Sequence, residues 1–209
     1  KGTSVTGKRV IVQGWGNVGA AAGYYLARHG AVITGIIDRA GGLLAPEGLG
    51  AAEVQELFVN KEANQLRTKD LKSFAEVNER IWDIGADIFL PCAASRLVTQ
   101  AQVDRMAKGG LEVISSGANV PFADPQIFYG PIAEDADAKV SVIPDFIANC
   151  GMARVFAYCM QPGNDLSDQA IFEDVSTVIR QAIEGVNTRN PNKTHFTRTA
   201  FEIALERLN

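Results

Sequence analysis

The residues whose types and spacing point most directly to chemistry are the glycines of VIVQGWGNVG, residues 10–19. Gly14, Gly16 and Gly19 follow a β-branched run and precede a run typical of a helix. In that setting the first glycine permits a tight turn, the second leaves room for a diphosphate, and the third lets the helix pack closely on the strand. Free N–H groups at the helix start would then face the phosphates. The alternative is a structural glycine turn in another α/β fold.

An acidic residue, Asp38, ends the next β-branched run, about 20 residues beyond the glycines. A carboxylate at this point can accept a hydrogen bond from a ribose 2′-hydroxyl, as in NAD sites. Arg39 beside it could receive a 2′-phosphate instead, so the residues leave NAD and NADP both open. The alternative is that Asp38 is a turn or cap residue before Gly41 and Gly42.

Three later loops also follow predicted strands. They are Pro91-Cys92-Ala93-Ala94-Ser95, residues 116–121 and residues 144–151. Because parallel sheets bind ligands at the carboxyl ends of their strands, each is a candidate site loop, and a plain connector is the alternative for the first. Cys92 is interpreted as a small buried residue rather than a nucleophile, since no histidine lies near it in sequence.

No acid/base pair can be assembled from the sequence. His29 lies at a predicted helix end and His195 near the terminus, and each is interpreted as a cap or surface residue. Lys108 and Lys139 are interpreted as exposed residues at helix ends or turns. The three cysteines show no metal-type spacing. We therefore assign no catalytic residue and no metal ligand.

The elements that must position these residues alternate between strands and helices. Periodicity and breakers predict strands at residues 8–13, 32–37, 86–92, 111–115 and 141–143, and helices at residues 17–29, 51–60, 99–107, 124–129, 152–161, 167–188 and 194–208. This alternation predicts a doubly wound, mostly parallel α/β sheet with C-terminal helices. Residues 1–165 are assigned to the sheet domain, and residues 166–209 to helices that pack on it or on a missing domain.

Two segments give weaker predictions. Residues 41–50, GGLLAPEGLG, are interpreted as a short hairpin or turn because glycine and proline dominate them. Residues 61–80 are polar and aperiodic and are interpreted as a solvated excursion rather than part of a site.

Composition excludes several classes of function. The chain has 209 residues and a net charge of −4, without a basic run, which argues against nucleic acid as a partner. It contains no apolar run long enough to span a bilayer. The odd number of cysteines fits a reducing compartment, so a cytoplasmic location is expected. The first residue is lysine rather than methionine. We therefore expect that the chain starts part-way through a longer protein, or that it was cut at this point for expression.

Six motifs in order resemble the cofactor-binding half of the glutamate/leucine/phenylalanine/valine dehydrogenase family, above all its glutamate dehydrogenase branch. They are VQGWGNVG (12–19), DRAGGLLAPEGL (38–49), LPCAASRLVT (90–99), SGANVP (116–121), PDFIANCG (144–151) and TRTAFEIALERL (197–208). Each motif alone is modest, and their order over most of the chain is specific. A cofactor domain of a malic-enzyme-like or folate dehydrogenase is the alternative, which the later loops disfavour.

The resemblance implies a Rossmann-like domain that binds NAD or NADP in an enzyme performing reversible oxidative deamination of an L-amino acid to a 2-oxo acid. It assigns the cofactor to these residues: Gly14, Trp15, Gly16, Asn17, Val18 and Gly19 at the diphosphate, Asp38 and Arg39 at the adenosine ribose, Cys92, Ala93, Ala94, Gly117, Ala118 and Asn119 at the nicotinamide side, and Asn149 near the nicotinamide ribose or amide.

The resemblance also implies what lies outside this chain. Catalytic lysines and an acid belong to the family's amino-terminal domain, so the isolated chain is expected to be inactive, with the amino acid or 2-oxo acid bound jointly with that domain. The full-length protein is expected to form a homo-oligomer. Two residues depart from the family pattern. Met152 stands where the resemblance implies a second glycine after ANCG, and Phe156 stands where it implies the serine that glutamate dehydrogenases have near the substrate carboxylate. These departures leave a second hypothesis, a non-catalytic dinucleotide-sensing or regulatory module.

Overall fold

A six-stranded sheet carries the glycine loop at its centre. A computed structural model describes residues 4–207 of the chain. Its strands are β1 (Arg9–Gln13), β2 (Val32–Asp38), β3 (Gly41–Leu49), β4 (Ile88–Pro91), β5 (Val113–Ser115) and β6 (Ser141–Ile143). They lie in the order β3-β2-β1-β4-β5-β6, all parallel except the edge strand β3. The predicted doubly wound, mostly parallel α/β fold, Rossmann-like in its strand order, is confirmed.

The helices follow the strands in alternation. They are α1 (Asn17–Arg28), α2 (Ala51–Val59), α3 (Phe74–Arg80), α4 (Gln100–Lys108), α5 (Pro131–Lys139), α6 (Asp145–Ala148), α7 (Gly151–Cys159), α8 (Asp168–Arg189) and α9 (Phe196–Glu206), with a 3₁₀ turn at Ile81–Asp83. Side-chain caps fix several starts. Ser73, Thr99 and Ser167 each accept a hydrogen bond from the backbone N–H three residues further on.

Strand β1 is buried on both faces. Val10 and Val12 pack in one hydrophobic cluster with Trp15 and Ile33, whereas Ile11 packs in the other with Phe89. This division follows from the two-residue period of a strand, which sends successive side chains to opposite faces. Strand β1 pairs with β2 on one side and with β4 on the other, so the strand order reverses direction at β1. The carboxyl end of β1 is therefore the topological switch point where such sheets bind ligands.

The prediction of a short hairpin or turn at residues 41–50 is wrong in extent, because a full edge strand forms there. Asp38 pairs with Gly41 in a tight connection, and the pairing continues to Ile33 with Leu49. Pro46 is tolerated because β3 lies at the sheet edge, where a missing N–H breaks no ladder.

The helix predicted at residues 124–129 is also wrong, and a helix that the sequence analysis missed, α5, follows it. Asp124 is buried and accepts hydrogen bonds from the N–H groups of Ile132 (2.8 Å) and Ala133 (3.0 Å). Its carboxylate thus caps α5 from outside the helix, and Pro131 occupies the first helical position. The first residue of the predicted helix, Asp124, therefore caps a helix that begins seven residues later.

The last helices pack against the β6 end of the sheet. Thr197 Oγ1 donates a hydrogen bond to the Val142 carbonyl (2.6 Å), and buried Asp137 accepts hydrogen bonds from the N–H groups of Thr197 and Arg198. Phe196 and Ala200 form a cluster with Val186 of α8. A division of the chain at residue 165 stays a prediction. Among residues 4–207, no helix combines the length and apolarity needed to cross a membrane.

Candidate functional site

The glycine loop joins β1 to α1 at the switch point. The Gly14 N–H donates a hydrogen bond to the Ile37 carbonyl of β2 (2.7 Å), and the Cys92 N–H donates to the Gln13 carbonyl (2.8 Å). Gly14 has φ +91°, which favours glycine, and a Cβ there would lie 2.8 Å from the Ala93 backbone. Gly14 is therefore required by the close approach of the two loops.

Gly19 and Gly16 differ in whether the surrounding structure leaves room for a side chain. A Cβ on Gly19 would overlap the Gly14 carbonyl oxygen and lie 3.1 Å from Cys92 Cβ, so the fold itself requires glycine. Gly16 has φ −82° and ψ −158°, an extended conformation with negative φ rather than the left-handed region that favours glycine. Among residues 4–207, and apart from its two chain neighbours, only Asn64 lies within 4 Å of a Cβ there, at 3.8 Å. Neither backbone conformation nor packing requires glycine at position 16, which instead keeps the adjoining cleft open.

That cleft has a volume of about 690 Å³ and runs along the carboxyl end of β1 and β2. It brings together seven of the residues assigned to the cofactor: Gly14, Gly16, Asp38, Arg39, Cys92, Ala93 and Ala94. A second cavity, of about 50 Å³, lies beneath the loop at residues 116–121 and is too small for a dinucleotide.

The Trp15 side chain does not line the cleft, although the sequence analysis assigned Trp15 to the cofactor. Its side chain is fully buried, and its indole N–H donates a hydrogen bond to the Leu57 carbonyl of α2 (3.0 Å). A Cβ on Gly23 would lie 2.8 Å from the ring, so the indole fills the space between α1 and α2. The side chain belongs to the core, and only the backbone of Trp15 can face a ligand. Val18, by contrast, is exposed and lies against Gly117.

Asp38 has the turn role that the sequence left open, and its ribose role stays a prediction. Its carboxylate is buried and accepts hydrogen bonds from the N–H groups of Arg39 (2.6 Å) and Leu66 (2.8 Å), which fixes the turn after β2. Each oxygen keeps a second lone pair for a ligand hydroxyl in the cleft. With the Gln65 amide oriented to satisfy its neighbours, its oxygen accepts two hydrogen bonds from the Arg39 guanidinium, at 2.6 and 2.8 Å.

The interpretation of residues 61–80 as a solvated excursion away from the site is wrong for part of this segment. Ala63, Asn64, Phe74 and Asn78 line the cleft. Ala63 and Asn64 both have left-handed φ, 46° and 60°, so the chain turns sharply over the glycine loop. The asparagine is the one sequence signal of such a turn.

Cys92 lies where the loop after β4 meets the loop after β5. A Cβ on Gly117 would lie 2.6 Å from its sulfur. Burial raises the pKa of the Cys92 thiol to about 12, and a backbone hydrogen bond from Gly117 offsets this only in part. The thiol is therefore protonated at neutral pH and a poor nucleophile, in agreement with the sequence interpretation.

We expect Cys92 to resist alkylation in the folded protein. With iodoacetamide at about pH 8, exposed Cys159 should react roughly a hundredfold faster than Cys92, because only the thiolate attacks. Peptide mapping by mass spectrometry measures both rates. In denaturant the two rates should converge, and equal rates in the folded protein would contradict the assigned environment.

The loops after β5 and β6 lie beyond Cys92 and do not line the 690 Å³ cleft. The Ala118 N–H donates to the Pro91 carbonyl (2.8 Å), which ties this loop to the preceding one. Asn149 Nδ2 donates to Asn119 Oδ1 (2.6 Å) and, at 3.4 Å, to the Gly117 carbonyl. Gly117, Ala118, Asn119 and Asn149 thus form one hydrogen-bonded group beside the cleft.

The histidines lie away from the cleft. His29 follows the last residue of α1, and His195, with φ 59°, precedes α9. Lys139 of α5 pairs with Asp104 and Asp135. Within residues 4–207, no three His, Cys, Asp or Glu side chains are placed to hold a metal ion.

Helix α7 presents an apolar stripe to solvent. Met152 and Phe156 of α7, and Met160 directly after it, are spaced by four residues and are 63%, 62% and 82% exposed. The charged Arg154 is held by Asp174 of α8, with both nitrogen–oxygen distances 2.6 Å. Both residues singled out as departures from the family pattern, Met152 and Phe156, therefore lie on this exposed stripe.

Known proteins resemble the chain over nearly its whole length. Glutamate dehydrogenase from Aeropyrum pernix is 30% identical over 97% of the chain, and glutamate dehydrogenase A2 from Halobacterium salinarum is 28% identical over 98%. The chain spans about half the length of these relatives, 48% of each.

Solved structures show the same fold. A hetero-hexameric glutamate dehydrogenase from Thermus thermophilus, in a leucine-bound form, superposes with a TM-score of 0.72 at 24% identity, over 99% of this chain and 47% of that one. L-tryptophan dehydrogenase from Nostoc punctiforme gives 0.61 at 22% identity, over 98% of this chain and 53% of that one. At such identities the likeness concerns the fold alone.

The family model described as Glutamate/Leucine/Phenylalanine/Valine dehydrogenase matches residues 1–209. With the motif order, the strand order and the relatives in agreement, the chain belongs to the glutamate/leucine/phenylalanine/valine dehydrogenase family.

Proposed function

We propose that the chain binds NAD(H) or NADP(H) in the 690 Å³ cleft and forms the cofactor half of an amino-acid dehydrogenase. The observation that carries the proposal is Gly16, whose missing side chain is explained by neither its backbone nor its neighbours. A dinucleotide diphosphate against the Gly16 backbone explains it. The proposed reaction is the reversible oxidative deamination of an L-amino acid to a 2-oxo acid.

The residues present fit such a ligand. The amides from Gly16 to Gly19, at the start of α1, would bind the diphosphate, and Asp38 would accept a ribose hydroxyl. Ala93 and Ala94 would contact the cofactor towards the nicotinamide. The bound cofactor supplies the hydride acceptor or donor. The group of Gly117, Ala118, Asn119 and Asn149 would position its nicotinamide end.

The cleft supports NAD over NADP. Asp38 is held beside it by two backbone N–H groups, and its carboxylate would repel a 2′-phosphate. Arg39, the residue that could receive this phosphate, is engaged by Gln65. We therefore propose NAD as the preferred cofactor.

The proposal is tested by titrating the protein with NADH and NADPH and following nucleotide fluorescence. We expect saturable binding of both and roughly tenfold tighter binding of NADH, because only NADPH brings a like charge to Asp38. Adenosine, which lacks the diphosphate, is the control and should bind much more weakly. Absence of saturable binding by either dinucleotide would refute the proposed function.

Catalysis requires groups beyond those that line the cleft. Deamination needs a tuned general base and a group that stabilises the tetrahedral intermediate. Asp38, the acid of the cleft lining, already accepts two backbone hydrogen bonds, and Cys92 is protonated. We propose that a further domain provides these groups, that the substrate binds between the two, and that the longer protein is a homo-oligomer. The isolated chain is then inactive.

A second candidate is a dinucleotide-sensing or regulatory module of the same fold. The observation in its favour is that Met152 and Phe156 of α7 are both exposed and apolar. Neither side chain can donate a hydrogen bond to a substrate carboxylate. Assays of the full-length protein with several amino acids distinguish the candidates, since turnover of any of them excludes a purely regulatory role.

A further inference from the structure

A short segment, residues 61–66, lies across the glycine loop. At one end of it, Asn64 covers Gly16, and the N–H of Leu66 donates to Asp38 Oδ2 (2.8 Å). At the other end, Lys61 Nζ donates a hydrogen bond to Asn17 Oδ1 (2.8 Å). The segment therefore spans the cleft from the Asp38 side to the first residue of α1.

The Lys61 ammonium occupies an electrostatically unusual position. Asn17 is the first residue of α1, where the helix dipole presents its positive end and disfavours a cation. The acid next to Lys61 in sequence, Glu62, pairs with Arg67 (3.3 Å). Within residues 4–207, no ion pair involves Lys61. Two positive groups, the helix start and the ammonium, thus meet at the glycine loop, and no carboxylate of residues 4–207 pairs with the ammonium.

We propose that Lys61 contacts the dinucleotide diphosphate beside the start of α1. The inference rests on the proposed function and adds a binding residue to it. An anion beside Asn17 would satisfy the helix start and the ammonium together. In the proposed site the 2′-position of the ribose would lie at Asp38, whose hydrogen-bond donors are the N–H groups of Arg39 and Leu66 rather than Lys61. Lys61 therefore serves the diphosphate, which NAD and NADP share.

The test compares Lys61→Gln with the matched control Lys69→Gln, an exposed lysine of the same region on a different groove. Calorimetric titration should show about tenfold weaker binding of NADH, NADPH and ADP by Lys61→Gln, because one charge-assisted hydrogen bond is lost. Adenosine binding should not change. Added salt should weaken NADH binding less in this variant than in the wild type. Lys61→Arg should keep most of the affinity, and Lys69→Gln all of it.

Each other outcome overturns the inference. Unchanged NADH affinity in Lys61→Gln excludes a contact with the diphosphate. A loss confined to NADPH places the ammonium at the 2′-phosphate, and an equal loss for adenosine indicates a structural role. A lowered melting temperature of the ligand-free variant with no rescue by Lys61→Arg also indicates a structural role. Failure of the wild type to bind dinucleotide refutes the proposed function itself.

Discussion

Replacing Gly16 with alanine is expected to weaken NADH binding by about tenfold to a hundredfold without unfolding the protein. The new methyl group would project into the cleft, where Asn64 lies at 3.8 Å and the diphosphate is proposed to lie. The phosphate must then retreat from the backbone amides, and charge-assisted hydrogen bonds lengthen or break. Since φ is −82°, alanine fits the existing backbone.

Stability should change little, because two small effects oppose each other. Alanine is a poorer helix N-cap than glycine, whereas it restricts the unfolded chain more. We expect the free energy of unfolding to stay within about 1 kcal/mol of the wild type in urea titrations. Gly185→Ala, in the exposed interior of α8, is the matched control for binding. If Gly16→Ala bound NADH as tightly as Gly185→Ala, the diphosphate could not lie against residue 16.

The glycine roles could be predicted from sequence because their causes are local. A β-branched run, a tight turn and a helix start stand within residues 10–19, and the three glycines act as their spacing suggests: Gly14 and Gly19 permit close packing, and Gly16 leaves space. Asp38 could be found for the same reason, since the acid directly ends a β-branched strand.

The rest of the cleft could not be predicted, because distant contacts place it. Asn64 reaches Gly16 only because the Leu66 N–H is held by Asp38, 28 residues earlier. A polar, aperiodic segment carries no pattern that reports such a contact. Trp15 shows the opposite problem, since its position within the motif suggests a ligand contact, yet α2 supplies a buried acceptor for its indole. Helix α5 was missed because its cap, Asp124, lies well before its first residue.

Replacing Gly19 with alanine should give the opposite result, a loss of roughly 3 kcal/mol of unfolding free energy, at the upper end of typical overpacking. The added Cβ would overlap the Gly14 carbonyl oxygen and press on Cys92 Cβ, at 3.1 Å. These are backbone and buried atoms that cannot rotate away, so α1 must move off the sheet. Because Gly14 contacts Ala93, the displacement should also open the cleft and abolish NADH binding at the temperature where the wild type binds.

Urea titration followed by circular dichroism measures this loss, with Gly185→Ala as the control. Gly185 lies in α8, and beyond its own stretch of helix no atom of residues 4–207 lies within 4 Å of its Cβ position, so alanine there should stabilise the helix by about 0.5–1 kcal/mol. Replacing glycine with alanine is thus expected to lower the free energy of unfolding at Gly19 and to raise it at Gly185. A Gly19→Ala protein as stable as the wild type would show that α1 does not pack on the strand as closely as the structure has it, and the reason given for glycine at position 16 would then lose its geometric basis.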